Sequence, residues 1–397
     1  MHLELTTEQQ NLRRELREYF NQLMTPELIE ATRGNDGGDA YKSVIRQIGS
    51  DGWLTLGWPE AYGGQGRGPM DQMILFEEAQ LAQAPLPFVT INTVGPAIIA
   101  HGSTAHKDYF LPRIAAGELH FAIGYTESQA GTDLASLTTS AVRDGDDWLI
   151  NGTKVFTSSA EAADYIWLAA RTDPHSSTGH SGISVFMVDT QAPGFSYSPI
   201  HTVGDVRTNI TYYDQVRCPN DMICGDLNQG WQLITSQLNH ERVGLAAIGV
   251  FAWRLYEQVL HWARDTDASG SRPLNSAVVQ TLLAQAYTRL EAMRLMTWRM
   301  VSRMQTEEPD PAYASAIKTY STEALIEIYR LLIDAMGPAS NLRRGSAGAL
   351  LQGELETEYR RCQINTFGGG VLEVMRDLVA RFGLDMGGTP RRVKSGS

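Results

Sequence analysis

The chain has 397 residues, 43% hydrophobic and 20% charged, an ordinary globular composition with enough length for two or three domains and an enclosed cofactor. Its net charge of −12, with no sizeable Lys/Arg cluster, argues against nucleic acid as the main partner; the basic tail at Arg391, Arg392 and Lys394 is expected to be a solvated end. The N-terminus MHLELTTEQQ has no apolar signal core and no apolar run is long enough to span a bilayer, while Cys218, Cys224 and Cys362 are odd in number and lack metal-ligand spacing, which predicts reduced thiols in a cytoplasmic protein without a metal site.

Residues 1–117 are helical in pattern. Thr6 and Thr7 precede Glu8–Gln10, an N-cap with an acidic first turn. Pro26, the Gly34–Gly38 cluster and the loop Tyr62-Gly-Gly-Gln-Gly-Arg-Gly punctuate the segment. That glycine-rich loop follows no strand, so a connection between helices is expected rather than a phosphate cradle.

From 118 to 226 the texture changes to short Val/Ile/Trp/Phe runs separated by turn residues: Trp148–Asn151, Val155–Thr157, Tyr165–Ala170 and Gly182–Val188. Asn151-Gly152 between apolar runs is a hairpin signal. A small antiparallel β domain is expected here. From 227 to 397 the period returns to 3.6. Trp231–Arg264 contains no proline and would make a helix of about 50 Å. Further helices are expected over Ser276–Gln305, Pro311–Met336 and about Val371–Phe382, giving a C-terminal four-helix bundle. The fold class is therefore α+β: a helical domain, a β domain, then a helical bundle.

On a helical wheel at about 100° per residue, Ile234, Leu238, Leu245, Ile248, Ala252 and Val259 form one stripe of the long helix. Glu241 falls in its middle, with Arg242 on its margin, whereas Arg254, Glu257 and Arg264 point elsewhere. A carboxylate on an apolar stripe is costly unless paired or protonated. Geometry alone leaves two readings open, a buried ion pair or a general base raised by desolvation.

Two strings carry a resemblance: Tyr125-Thr-Glu-Ser-Gln-Ala-Gly-Thr-Asp133 and Asn151-Gly-Thr-Lys-Val-Phe-Thr-Ser158. They are similar to the T-E-x-x-A-G-S-D and N-G-x-K-x-W-I-T patterns of acyl-CoA dehydrogenases. Thr366-Phe-Gly-Gly-Gly-Val-Leu-Glu-Val-Met-Arg-Asp377 resembles the approach to that family's last flavin-side helix. The resemblance covers nearly the whole chain. It implies the family's helical–β–helical domain order, an FAD cofactor and an acyl-CoA substrate. It further implies flavin contacts from Tyr125, Thr126, Ser128, Phe156, Thr157, Ser158, Gly368 and Gly369. Phe156 stands at the family's tryptophan position, and Thr132 where a family serine approaches the substrate's phosphopantetheine.

Many members carry the catalytic base in a Y-E-G-T motif, and here Gly369 aligns with that glutamate. A branch including the isovaleryl type supplies it from a Leu-x-x-Glu-Arg motif on the long helix. Leu238-Asn-His-Glu241-Arg242 matches, implying Glu241 as base and Arg242 at the substrate; Glu373 is the weaker alternative. The family's flavin-diphosphate motifs R-x-x-F-G and Q-x-x-G-G are altered. The first has no Phe-Gly after Arg264, and the second reads Asp334-Ala-Met-Gly-Pro-Ala, with proline and alanine where close phosphate approach favours glycine. This combination resembles the α subunits of actinobacterial α2β2 acyl-CoA dehydrogenases acting on CoA thioesters of steroid (cholesterol-type) side chains. A second acyl-CoA-dehydrogenase-like subunit and an electron-transferring flavoprotein as acceptor are implied. The same resemblance leaves room for a scaffold subunit that completes a partner's flavin site, for a branched- or short-chain homotetramer, or for an oxidase that reduces oxygen directly.

Overall fold

The computed structural model describes residues 4–176, 179–235, 249–265, 270–304 and 310–387. The chain divides into two units, Met1–Val250 and Phe251–Ser397. No helix among the described residues is long and apolar enough to cross a membrane.

The first unit opens with six helices: α1 (Thr7–Leu23), α2 (Pro26–Thr32), α3 (Asp39–Ser50), α4 (Pro69–Leu81), α5 (Gly95–His101) and α6 (Thr104–Ala115). The predicted start of α1 is a full capping box: Thr6 accepts from the Gln9 N–H, and the Gln9 side chain accepts from the Thr6 N–H. Leu12, Leu16 and Phe20 form its buried stripe, at the i, i+4 spacing of one helix face. Arg17 clasps Glu78 of α4 through two bonds of 2.9 Å. Ser103 and His106 build a second capping box at α6. The glycine-rich stretch after Tyr62 is a connection between helical elements, as expected.

Eight strands follow: β1 (Phe121–Gly124), β2 (Ser140–Asp144), β3 (Asp147–Lys154), β4 (Tyr165–Arg171), β5 (Ile183–Asp189), β6 (Phe195–His201), β7 (Arg207–Pro219) and β8 (Ile223–Cys224). They form one sheet in the order β6-β7-β3-β2-β4-β5-β8, with β1 beside β4. Most pairings are antiparallel as expected, but β1 runs parallel to β4, with Phe121 opposite Tyr165. Trp148, Ile150, Ile166, Leu168, Phe186, Val188 and Val216 are among the residues of the core at this sheet.

The expected turn at Asn151-Gly152 is not a turn. Both residues lie inside β3, and the β2–β3 hairpin closes at Gly145 and Asp146. The register of β3 against β7 instead shifts between Ile150 and Gly152, with Gln215 on β7 at φ 54°. Asn151 Oδ1 accepts from the Gln215 N–H at 3.0 Å and from its side-chain amide at 2.8 Å. Asn-Gly chemistry here serves a β-bulge. A side chain at Gly152 would lie 2.8 Å from Thr139 Cα, so close backbone approach explains the glycine.

In the second unit, α7 (Val250–Arg264), which begins at the last residue of the first, is followed by α8 (Ala277–Arg303), α9 (Pro311–Met336), α10 (Glu354–Cys362) and α11 (Leu372–Leu378). Helix α9 packs against α8, α10 and α11 and is buried along most of its length. Asp310 caps it by accepting from the Ala312 and Tyr313 N–H groups. Three expected helices correspond to α8, α9 and α11; α10 was not anticipated. Of the predicted 231–264 helix, 230–235 and 250–264 are helical, and 236–248 lie outside the described residues. Ile234, Ala252 and Val259 of the apolar stripe are buried. Arg254, expected to point away from that stripe, is itself mostly enclosed and meets Glu354 of α10 at 3.0 Å.

Cys218, Cys224 and Cys362 are free and buried. Burial pushes each thiol up to about 12, so none is a ready thiolate.

Candidate functional site

The two strings singled out in the sequence meet in the first unit. Tyr125–Asp133 leaves the end of β1, and Val155–Ser158 leaves the end of β3. The Val155 N–H donates to the Thr126 carbonyl at 2.8 Å, joining the two loops through their backbones. The Tyr125 hydroxyl accepts from the Trp167 indole N–H at 3.0 Å, which fixes the first loop to β4.

Beneath them lies a buried ion pair. Lys154 Nζ sits 2.8 Å from Glu127 Oε1, with side-chain exposures of 0% and 2%. Lys154 also donates to the Tyr125 carbonyl at 3.0 Å. The other Glu127 bonds come from the Thr138 and Thr139 N–H groups and the Thr138 hydroxyl, each at 2.8 Å, and from the Gln129 amide at 2.7 Å. Burial alone would raise the Glu127 carboxyl, but Lys154 and the Thr139 bonds outweigh it and hold the group down at about 2. Burial lowers Lys154, and Glu127 only partly restores it. The partners therefore do not shift as mirror images. Several donors converge on the Glu127 charge, whereas Lys154 has two acceptors among the described residues.

Phe156 is held at φ 59° and is 60% exposed. A left-handed backbone at a bulky residue is strained. Thr157 is fully buried: its N–H donates to the Asn209 carbonyl at 2.9 Å, and its hydroxyl lies 3.3 Å from that of Thr211. Ser158 is exposed, its hydroxyl donating to Thr208 at 3.2 Å. Thr126 is half-buried, and its hydroxyl makes no hydrogen bond among the described residues. Ser128 and Thr132 are exposed, with the Ser128 hydroxyl donating to Gln129.

Gly368 and Gly369 belong to the second unit. Lys318 Nζ, on α9, donates to the Gly368 carbonyl at 2.9 Å, and Gly369 stands at φ +67°. Glu373 stands in the first turn of α11 there. Glu241 and Arg242 lie outside the described residues. Sequence reasoning passed over Glu127, Lys154 and Asn209. For Lys154 a signal existed: Trp148, Ile150, Gly152 and Lys154 alternate along β3, which aims the lysine at the core.

Three family models match the chain: acyl-CoA dehydrogenase N-terminal domain over residues 6–118, middle domain over 122–216 and C-terminal domain over 228–384. The chain belongs to the acyl-CoA dehydrogenase family. Similar relatives include FadE26 of Mycobacterium tuberculosis, 50% identical over 98% of this chain and 99% of that protein. FadE29 of the same organism is 45% identical over 98% and 100%. Among solved structures, "Tcur3481-Tcur3483 steroid ACAD" matches with a TM-score of 0.93 and 49% identity, covering 98% of this chain and all of that one. The ChsE4-ChsE5 complex of M. tuberculosis matches with a TM-score of 0.92 at 49% identity and the same coverage. As a family member this chain is an oxidoreductase acting on acyl-CoA.

Members of the family are FAD flavoproteins. The described residues fit such a group. Phe156 offers an exposed ring, Thr126 an unengaged hydroxyl, and Ser128 and Ser158 exposed hydroxyls, with no charged side chain among these four.

Proposed function

We propose that this chain is the catalytic subunit of a heteromeric, FAD-dependent acyl-CoA dehydrogenase that desaturates the CoA thioester of a bulky, steroid-type acyl group between Cα and Cβ. The observation that carries the flavin part is the joining of the two motif loops over one buried ion pair, with the Phe156 ring presented beside them. The steroid part is supported by about half-identity, across nearly full length, to chains in structures described as a steroid dehydrogenase and as the ChsE4-ChsE5 complex.

When bound, FAD supplies the acceptor for the hydride that leaves Cβ. Phe156 packs on its ring system, and Tyr125, Thr126, Ser128 and Ser158 supply neutral contacts that orient it without adding charge. Thr157 sets the height of its loop through its anchored peptide. Thr132 and Arg242 contact the CoA thioester. Glu241 takes the α-proton as general base. The thioester carbonyl gains enolate character as that proton leaves and needs hydrogen-bond donors in place beforehand.

The heteromeric state is supported by the altered diphosphate motifs. Arg264 is not followed by Phe-Gly. At the end of α9, Gly337 is followed by Pro338, which has no N–H to offer a phosphate. A second acyl-CoA-dehydrogenase-like subunit would complete the flavin site, and an electron-transferring flavoprotein would take the electrons. Free buried thiols favour the cytoplasm as the compartment.

The test is Glu241→Gln in the co-expressed complex. Removing a general base costs roughly 10²–10⁴-fold in turnover, so turnover should collapse while flavin per complex stays constant. Near-normal turnover would remove Glu241 as base and leave this chain as a scaffold for its partner's site.

A further inference from the structure

We propose that Glu127 and Lys154 act together as the positioning device of the flavin face, fixing the loop after β1 against the loop after β3 before any cofactor arrives. The proposal rests on the FAD reading above.

The geometry has three parts. Lys154 is the last residue of β3, two residues before Phe156, and it reaches across to the Tyr125 carbonyl at 3.0 Å. The hydroxyl-bearing segment 126–128 begins at the next residue. Glu127 sits inside that segment, flanked by Thr126 and Ser128, and its side chain turns inward to Lys154 at 2.8 Å. The remaining Glu127 bonds draw in Gln129, Thr138 and Thr139, the return of the same loop toward β2. One buried charge thus sets the positions of the residues on either side of it.

An ion pair is a costly way to fill a core. Two apolar side chains of similar volume often do as well for stability. What apolar residues cannot supply is direction: a carboxylate with several donors, and an ammonium shared between a carboxylate and a backbone carbonyl, each fix a backbone trace. In this chain those constraints converge on the residues proposed to meet the flavin. Neither side chain is exposed, so neither touches substrate or cofactor; both act through Thr126, Ser128 and Phe156.

The test compares the wild-type complex with Lys154→Met and with the charge-free double variant Glu127→Leu/Lys154→Met. Read-outs are flavin affinity after stripping and reloading, the visible absorption envelope of the bound flavin, and kcat against KM. The expected result for the double variant is a folded complex that melts below wild type, because the buried Thr139 N–H and the Tyr125 carbonyl lose their side-chain partners. Its flavin affinity should fall at least tenfold, its flavin spectrum should be altered, and its kcat should drop more than its KM rises. Unchanged affinity, spectrum and kcat in the folded double variant would overturn the proposal. A second measurement needs no variant. In hydrogen exchange on the wild-type complex, the amides of Thr138, Thr139, Val155 and Thr157 should be protected equally with flavin stripped and with flavin loaded. Protection that appears only on loading would also overturn it. Failure of the underlying reading looks different: the wild-type complex would then bind no flavin at all.

Discussion

Asn209 holds the Thr157 peptide from both sides: its backbone carbonyl accepts the Thr157 N–H at 2.9 Å, and its Nδ2 donates to the Thr157 carbonyl at 3.1 Å. The same Nδ2 also reaches the Glu161 carboxylate, which is paired with Arg207. Thr157 stands between Phe156 and Ser158, so this double bond fixes the height of the loop proposed to face the flavin. Asn209 is fully buried, and its Nδ2 is satisfied by the Thr157 carbonyl and the Glu161 carboxylate.

Asn209→Leu therefore keeps the backbone bond but leaves the Thr157 carbonyl without its side-chain donor. Leaving a buried polar group unsatisfied costs about 1–3 kcal/mol. Denaturant unfolding of the flavin-free protein should lose that amount, and reloaded flavin should bind more weakly. If stability falls while flavin affinity is unchanged, the Thr157 peptide has no part in the cofactor face.

Phe156 separates stability from binding. Its left-handed backbone costs about 1–2 kcal/mol for a residue with a side chain, and glycine would relieve that while losing about 0.5–1 kcal/mol to its freer unfolded chain. The residue is 60% exposed, so little packing is lost. Phe156→Gly should unfold within about 1 kcal/mol of wild type. A buried aromatic contact is worth about 1.5–3 kcal/mol, which is roughly a ten- to hundredfold weaker flavin Kd. Flavin titration of the stripped protein measures this directly. An unchanged Kd would mean that the ring does not pack on the cofactor.

The limits of the sequence are physical. Changes of period located the helical and β segments, because amphipathic helices and half-buried strands repeat differently. The parallel β1–β4 pairing joins Phe121 to Tyr165, and no local pattern reports a partner that distant. Asn151-Gly152 carried turn chemistry, yet a bulge uses the same residues when Gln215 supplies the left-handed backbone. Helix α10 was missed because its sequence is mostly charged, with only Leu355 and Cys362 buried. It is anchored by Arg254–Glu354 rather than by an apolar stripe. In the candidate site, the hydroxyl and aromatic residues stand out in the sequence as motifs. The charged pair beneath them does not, because the meaning of Glu127 depends on Lys154 reaching it from another strand.

Glu127 also sets a pH dependence. Its carboxyl falls from an unfolded value of 4.5 to about 2 in the folded chain. Between those values the unfolded chain binds the proton and the folded chain does not. Stability from this group is therefore fully present above about pH 4.5 and is lost as pH falls through about 2. Lys154 is lowered only to about 8, so it stays charged across this window and adds no slope of its own. Protonating Glu127 leaves that charge buried without its partner, which reinforces the loss. Denaturant unfolding of the flavin-free protein at a series of pH values should show stability decreasing toward acid between 4.5 and 2. Glu127→Gln should be less stable at neutral pH and show a shallower decrease over the same window. Other carboxylates titrate in both proteins, so the difference between the two curves isolates Glu127. Parallel curves would mean that its carboxyl titrates alike in the folded and unfolded chains, and that the buried pair does not hold its charge in the way the hydrogen bonds from Thr138, Thr139 and Lys154 require.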